Sequence, residues 1–385
     1  MRITGIETFT VGAGWKNWLF VRVDTDEGVS GIGEGTLNGF VRTIEAAVRE
    51  LEHLVLGEDP RRVTALSRHL YDSVSNEGGH VHRHAIAALE IACWDIVGKS
   101  LGVPIHELLG GRVRQSVPAY ANGWYRNERT PEAFAAAAEG VAEKGFRALK
   151  LDPFGTAQGF IARNELETAV AIVEAVRARC PELEILIDVH ARFTAAEAIR
   201  VAHSFEPLGV FWFEEPTVRD PERSTTVARA SSLRVATGET FHTLGQFLEL
   251  AKGGEISIWQ PEPMSLGGIR PTLSVADLAA AAGAWIAPHQ SGGPVATAVC
   301  LQLAACVPNF LIQEHFDPFN DAWTAELVTW TPALDPLTGE LSLPDAPGLG
   351  LELVAEVARA HPYDPNAYLN IYEEGWERRL GARAG

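Results

Sequence analysis

Between residues 116 and 314 the chain passes eight times from a short apolar run to a helical stretch, and this alternation constrains the fold more than any other feature. The runs are VPAYA, RALKLD, LEILID, VFWFEE, RVATGE, ISIWQPE, WIAPH and NFLIQE, in that order. Each has the length of a strand, and the stretches between them carry helical periodicity. Eight strands alternating with helices predict a TIM-type (β/α) barrel, in which chemistry gathers at the carboxyl ends of the strands. The third, fourth and fifth runs carry acids at or next to their ends, Asp188, Glu214 and Glu239. The intervals, 214 − 188 = 26 and 239 − 214 = 25 residues, match one strand, one helix and their loops, so consecutive units present three carboxylates at one rim.

Carboxylates alone, without thiolate or imidazole, suit a hard divalent cation that keeps positions open for substrate oxygens, and Mg²⁺ is the first expectation. A single acid in a βα loop is commonly a helix N-cap. Regular recurrence at strand ends is what separates these three from that role.

The 385-residue chain, 46% hydrophobic, is long enough for a large core in two domains. Its 32 basic and 50 acidic residues leave a net charge of −18, which argues against nucleic acid or an anionic membrane as partner. A small anionic substrate must then meet local positive charge in its pocket. Cys93, Cys180, Cys300 and Cys306 form no CxxC pattern and read as buried, reduced thiols. The opening MRITGIETFTVG lacks the charge and apolar pattern of a leader, and the longest apolar run, near 278–288, is too short to span a bilayer. A cytoplasmic enzyme is expected.

Before the barrel, FVRVDTDEGVSGIGE reads as two strands joined by a turn at Asp26, Glu27 and Gly28, and segments near 40–57, 60–74 and 83–101 read as amphipathic helices. The expected organisation is an α+β capping domain over 1–115, the barrel over 116–345, and a helically patterned segment, 346–385, returning to the capping domain. His80, His82 and His84 alternate in GGHVHRHA but lack accompanying ligands, and they read as flanking the surface between domains. Glu215, next to Glu214, is expected to point away from the metal into a hydrogen bond or ion pair. The paired glycines do not follow the GxGxxG nucleotide pattern.

The strand ends supply Lys150 and Asp152, Asp188 and His190, Glu214, Glu239, Glu262, His289 and Glu314 in order. Together with GIGEGT, AIAALEIACWDIVGKSLGVPIHELLGG, FWFEEP, TGET, PEPMSLGGI and PGLGLEL, they make the chain resemble the mandelate racemase subgroup of the enolase superfamily over nearly its full length. The resemblance implies Asp188, Glu214 and Glu239 as Mg²⁺ ligands, a homo-oligomer, and an early loop near Gly14 to Asn17 that closes over the substrate. It also implies proton abstraction beside a carboxylate to give an enediolate, whose charge the cation and Lys150 stabilise.

Racemases of that subgroup carry Lys-x-Lys at the second strand, whereas this chain has Lys150, Leu151 and Asp152, so racemisation by a second lysine is not expected. His289 matches the base of the seventh strand, and Glu262 stands where the subgroup has an aspartate that orients it. Asp188-x-His190 resembles acid-sugar dehydratases of the galactonate and gluconate type, where that histidine protonates the departing 3-hydroxyl; residues two apart on a strand face the same way. Glu314 matches the eighth-strand acid that meets the substrate carboxylate or its enediolate. Asp152 is expected at a sugar hydroxyl, and Trp15, Lys16, Asn17, Asn122 and Trp124 at the polyol end, with ordinary packing an equal reading for the two tryptophans. The expected reaction is dehydration of an aldonate to a 2-keto-3-deoxy acid. Epimerisation or cycloisomerisation of an acid sugar or its lactone, and a catalytically weak barrel that binds a sugar acid, remain alternatives.

Overall fold

The computed structural model describes residues 1–74 and 78–379. Strands β1 (Ile3–Gly12), β2 (Asn17–Thr25) and β3 (Ser30–Glu34) form an antiparallel sheet in sequential order. Helices α1 (Val41–Val55), α2 (Val63–Asp72), α3 (Gly79–Leu101) and the short α4 (Ile105–Leu108) follow. Helix α3 begins four residues before the expected position, and its central residues 84–93 are all buried. It is apolar on every side because it lies between the sheet and the barrel. Strand β3 approaches it so closely that a Cβ on Gly33 would stand 1.9 Å from the Ala88 carbonyl oxygen, which is why GIG occurs there.

The barrel alternates β4 (Ser116–Ala121), α5 (Pro131–Glu143), β5 (Ala148–Leu151), α6 (Arg163–Arg179), β6 (Glu184–Asp188), α7 (Ala195–Phe205), β7 (Trp212–Glu214), α8 (Pro221–Ala230), β8 (Val235–Thr237) and α9 (Leu244–Gly253). It continues with β9 (Ile258–Trp259), α10 (Pro263–Leu266), α11 (Ile269–Ala281), β10 (Trp285–Ile286), α12 (Pro294–Cys306) and β11 (Gln313–His315). All eight predicted strands are present. β4 to β10 pair in parallel sequence, β11 pairs with β4, and an Ile286–Phe310 bridge closes the ring. The side chains of Thr130, Thr194, Asp220 and Thr243 accept first-turn backbone N–H groups and start α5, α7, α8 and α9.

Inside the barrel Tyr120, Ala148, Leu186, Trp212, Ala236, Ile258 and Ala287 form one apolar layer. Side chains on a strand repeat every two residues, so the next inward positions are Asn122, Lys150, Asp188, Glu214 and His289. Much of the polar rim therefore follows from the layer beneath it.

Two carboxylates from the first 115 residues cap barrel helices. Glu34 accepts from Gly293 N at 2.5 Å and Ala296 N at 2.9 Å, at the start of α12. Glu90 of α3 accepts from Ile269 N at 2.9 Å and Arg270 N at 3.0 Å, at the start of α11. Charge at a helix N-terminus complements its dipole, so these acids tie the two parts together.

The helical pattern expected after residue 346 yields only α13 (Ala355–Ala360) and a single 3₁₀ turn at Trp376–Arg378; residues 380–385 lie outside the described residues. The segment is extended because it is pinned along its length. Pro362 bridges Val11, Asp364 and Ala367 carbonyls accept from Asn17 Nδ2, and Trp376 Nε1 donates to Gly155 O. All four cysteines are free and buried. Among the described residues no helix is long and apolar enough to cross a membrane.

Candidate active site

Asp188 and Glu214 end β6 and β7, while Glu239 follows Gly238 in the loop after β8. Gly238 has φ +128, and a Cβ there would lie 2.8 Å from Phe247 Cε1, so glycine is required to turn the chain toward the centre. One carboxylate oxygen from each of the three acids lies within 4.8 Å of the others. Glu239 Oε2 is buried without a hydrogen-bond partner.

Lys150 lies against this cluster, 1% exposed. Its Nζ is 2.6 Å from Glu214 Oε1, 2.9 Å from Glu314 Oε1 and 3.2 Å from Asp188 Oδ2. Burial and the neighbouring Asp188 charge push the Glu214 carboxyl well above the usual range despite Lys150. Burial also opposes ionisation of Asp188, yet His190 and Lys150 hold it low. The cluster thus has more negative charge than its lysine offsets. An unpartnered oxygen and an all-oxygen donor set fit a hard divalent cation.

Two imidazoles reach the cluster. β6 and β10 are four strands apart in a ring of eight, so His190 and His289 enter from opposite sides. His289 Nδ1 donates to Glu262 Oε2 at 2.5 Å, and its Nε2 stands 3.4 Å from Glu239 Oε2. Glu262 also accepts from Met264 N, capping α10. Burial pulls the His289 pKa down, but Glu239, Glu314 and Glu262 outweigh it and carry it to about 10.

His190 does not lie on a strand. β6 stops at Asp188, and His190 and Ala191 take positive φ values of 52° and 56°. The turn is held by His190 N donating to Asp188 Oδ1 at 2.9 Å. His190 Nδ1 donates to Asp152 Oδ2 at 2.7 Å, and Nε2 stands 3.5 Å from Asp188 Oδ2. Burial lowers its pKa, but Asp188 and Asp152 together raise it above the ordinary value.

The expected substrate contacts are revised by these surroundings. Asp152 is fully buried; one oxygen accepts from Phe154 N, the other from His190 and Arg192, so it faces the imidazole rather than a free hydroxyl site. Asn17 spends its amide on Asp364 and Ala367. Asn122 donates to Glu314 Oε1 at 2.7 Å. Trp124 donates to the Lys150 carbonyl and packs edge-on against Tyr125 and Phe134. Trp15 donates to Asn320 and stacks on Phe316. Lys16, by contrast, lines a cavity of about 510 Å³ together with Glu239, Glu262, His289 and His84.

Glu314 accepts from Gln290 N and Asn122; burial alone would raise its pKa, but Lys150 and His289 bring it below the ordinary range. Glu215 accepts from Thr237 Oγ1 and Gly238 N, as a hydrogen-bonded residue beside the acidic cluster. Sequence reasoning missed Arg192, whose signal was a basic residue two positions after His190, and Trp376, whose ring centroid lies 6.4 Å from that of His190.

Fold and cluster define a capped (β/α)₈ barrel that gathers three carboxylates, a lysine and two acid-oriented histidines at its mouth. Residues 7–110 match the mandelate racemase / muconate lactonizing enzyme N-terminal domain, and 133–357 match the enolase C-terminal domain-like family. The chain belongs to the enolase superfamily. It is 34% identical to the D-galactonate dehydratase of Variovorax paradoxus (strain S110), over 92% of this chain and 93% of that protein. It is 33% identical to the D-gluconate dehydratase of Thermoproteus tenax, over 91% of this chain and 71% of that protein. The crystal structure of a mandelate racemase/muconate lactonizing enzyme from Sulfitobacter sp. matches with a TM-score of 0.88 at 31% identity, covering 95% of this chain and 96% of that one.

Proposed function

We propose that the protein is a hydro-lyase that dehydrates an acid sugar to a 2-keto-3-deoxy acid. The observation that carries this reading is the pair of imidazoles entering from opposite sides, each with Nδ1 tied to a carboxylate and Nε2 turned toward the acidic cluster. A carboxylate only accepts, so each Nδ1 is the protonated nitrogen and each Nε2 is left to exchange a proton. The relatives named for galactonate and gluconate dehydration support the same substrate class.

In this reading His289 Nε2 removes the proton on the carbon beside the substrate carboxylate. The electron pair is first held in the enediolate and then forms the C2–C3 double bond as the C3–O bond breaks, while His190 Nε2 protonates the leaving oxygen, which departs as water. The enol then tautomerises. Asp188, Glu214 and Glu239 would hold Mg²⁺, which when bound supplies positive charge for the enediolate and offsets the carboxylates that keep His289 protonated. Lys150 holds Glu214, Glu314 and Asp188 in one arrangement, and Asp152 and Glu262 fix the two rings.

The test is incubation with Mg²⁺ and a panel of aldonates and aldarates, followed by assay of 2-keto acid. Dehydration gives signal with at least one member. Epimerisation or binding without turnover gives none, and a silent panel would defeat the reading.

A further inference from the structure

We propose that the substrate is a dicarboxylate acid sugar, an aldarate, whose second carboxylate is bound by Lys16 and Arg379. The proposal rests on the dehydratase reading and specifies the substrate class of the same site.

Lys16 lies in the turn between β1 and β2, and Arg379 follows the last 3₁₀ turn. These residues, 363 positions apart (379 − 16), meet on one ring: Lys16 Nζ stands 4.5 Å from the Trp15 centroid and Arg379 Cζ 5.2 Å from it. Both are buried, at 3% and 8% exposure. Among the described residues neither forms an ion pair with a carboxylate, and Arg379 Nε has no hydrogen-bond partner. Burial draws the Lys16 pKa down to about 8, and the charges of Glu262 and Glu34 do not restore it. A buried cation without a carboxylate partner is costly even when aromatic faces take part of its charge, and the Arg379 charge acts against that of Lys16. The arrangement is accounted for when a bound anion completes it, with charge-assisted hydrogen bonds replacing the lost water.

The position fits an anion at the far end of the substrate. Lys16 opens into the cavity that also holds Glu239, Glu262 and His289, whereas the first carboxylate belongs with the metal-ligating acids. Arg379 packs over Tyr125 and Phe316 as well, placing the pair above the barrel mouth and not within the cluster. The names of the relatives specify monoacids, so this assignment departs from theirs.

The experiment is calorimetric titration of the Mg²⁺-loaded protein with hexarates, with the matching hexonates, and with 6-phosphohexonates. The best hexarate is expected to bind about 10-fold or more tightly than its hexonate. Lys16→Met and Arg379→Met should each abolish that difference by weakening the hexarate about 10-fold more than the hexonate, and Lys16→Arg should retain it. Equal binding of mono- and diacids, or equal weakening of both in Lys16→Met, overturns the proposal. Preference for the phosphorylated acid over every hexarate overturns the carboxylate assignment. Keto-acid assays run alongside separate the two claims: turnover of hexonates without hexarate preference sinks this inference alone, and hexarate preference without turnover sinks dehydration alone.

Discussion

His190 and His289 serve the same site with the same ring geometry, yet they are built differently. His289 continues the inward register of β10, two residues past Ala287 of the apolar layer, and is oriented by one glutamate that also caps a short helix. His190 sits in a left-handed turn beyond β6, on an aspartate that Arg192 and Phe154 N hold from behind. A residue that keeps the register of a strand, as His289 does three residues past the end of β10, needs only one external tether. One carried by a loop needs a network, and the network here draws on β5, its own loop and the C-terminal Trp376.

The largest expected effect removes what both histidines share. Glu214→Gln leaves Lys150 without its nearest carboxylate and the cluster without one ligand, so hydrogen exchange at C2 and dehydration should fall together by about 10³-fold or more. Deuterium incorporation and keto-acid assays measure the two reactions. Loss of only one would show that the stations do not depend on a common centre.

Next in size are the histidines themselves. His289→Ala should lose exchange and dehydration alike, by about 10²- to 10⁴-fold, because no proton leaves C2. His190→Ala should retain exchange while losing dehydration by a similar factor. If His190→Ala dehydrates at the original rate, the assignment of the acid is wrong.

Supporting residues sharpen the contrast. Arg192→Met leaves Asp152 buried against His190 without its guanidinium, and dehydration should drop about 10- to 100-fold with exchange little changed; Arg192→Lys should recover part of it. Glu262→Gln should instead reduce both reactions by about 10-fold or more, since it acts through His289. Identical profiles for the two variants would remove the distinction between the stations.

How much of this was legible in the sequence follows from the same difference. Lys150, Asp188 and Glu214 sit where period-2 strands place them, and His289 keeps that register past the end of β10, so their runs disclosed both the barrel and the rim. His190 was found by its spacing from Asp188, but for a reason that does not hold, since the strand has already ended. Asp152 and Asn17 looked like hydroxyl ligands because polar residues near a barrel mouth are readable, whereas their hydrogen-bond commitments to Arg192 and to Asp364 are long-range contacts. The charged tail has helix-like spacing, but tethering to β1 and Gly155 overrides that local preference.

The smallest effect concerns the cation farthest from either histidine. Lys16 faces Glu262, Glu34 and Glu314, which favour its charge, and Arg379, which opposes it; burial exceeds these influences and sets its pKa at about 8 against an ordinary 10.5. A folded pKa below the unfolded one means that the ammonium weakens the free fold below pH 8, and that stability from this group rises as pH climbs from 8 to 10.5. Affinity for a second substrate carboxylate has the opposite trend, because only the ammonium attracts it. One pH unit above 8 leaves about a tenth of the lysine charged, so the advantage of a hexarate over a hexonate should shrink by up to about 10-fold between pH 7.5 and 9. Because both ligands share the metal and both histidines, their ratio cancels changes at those groups. A ratio constant across that interval, or one still falling in Lys16→Met, would assign the pH dependence to another residue.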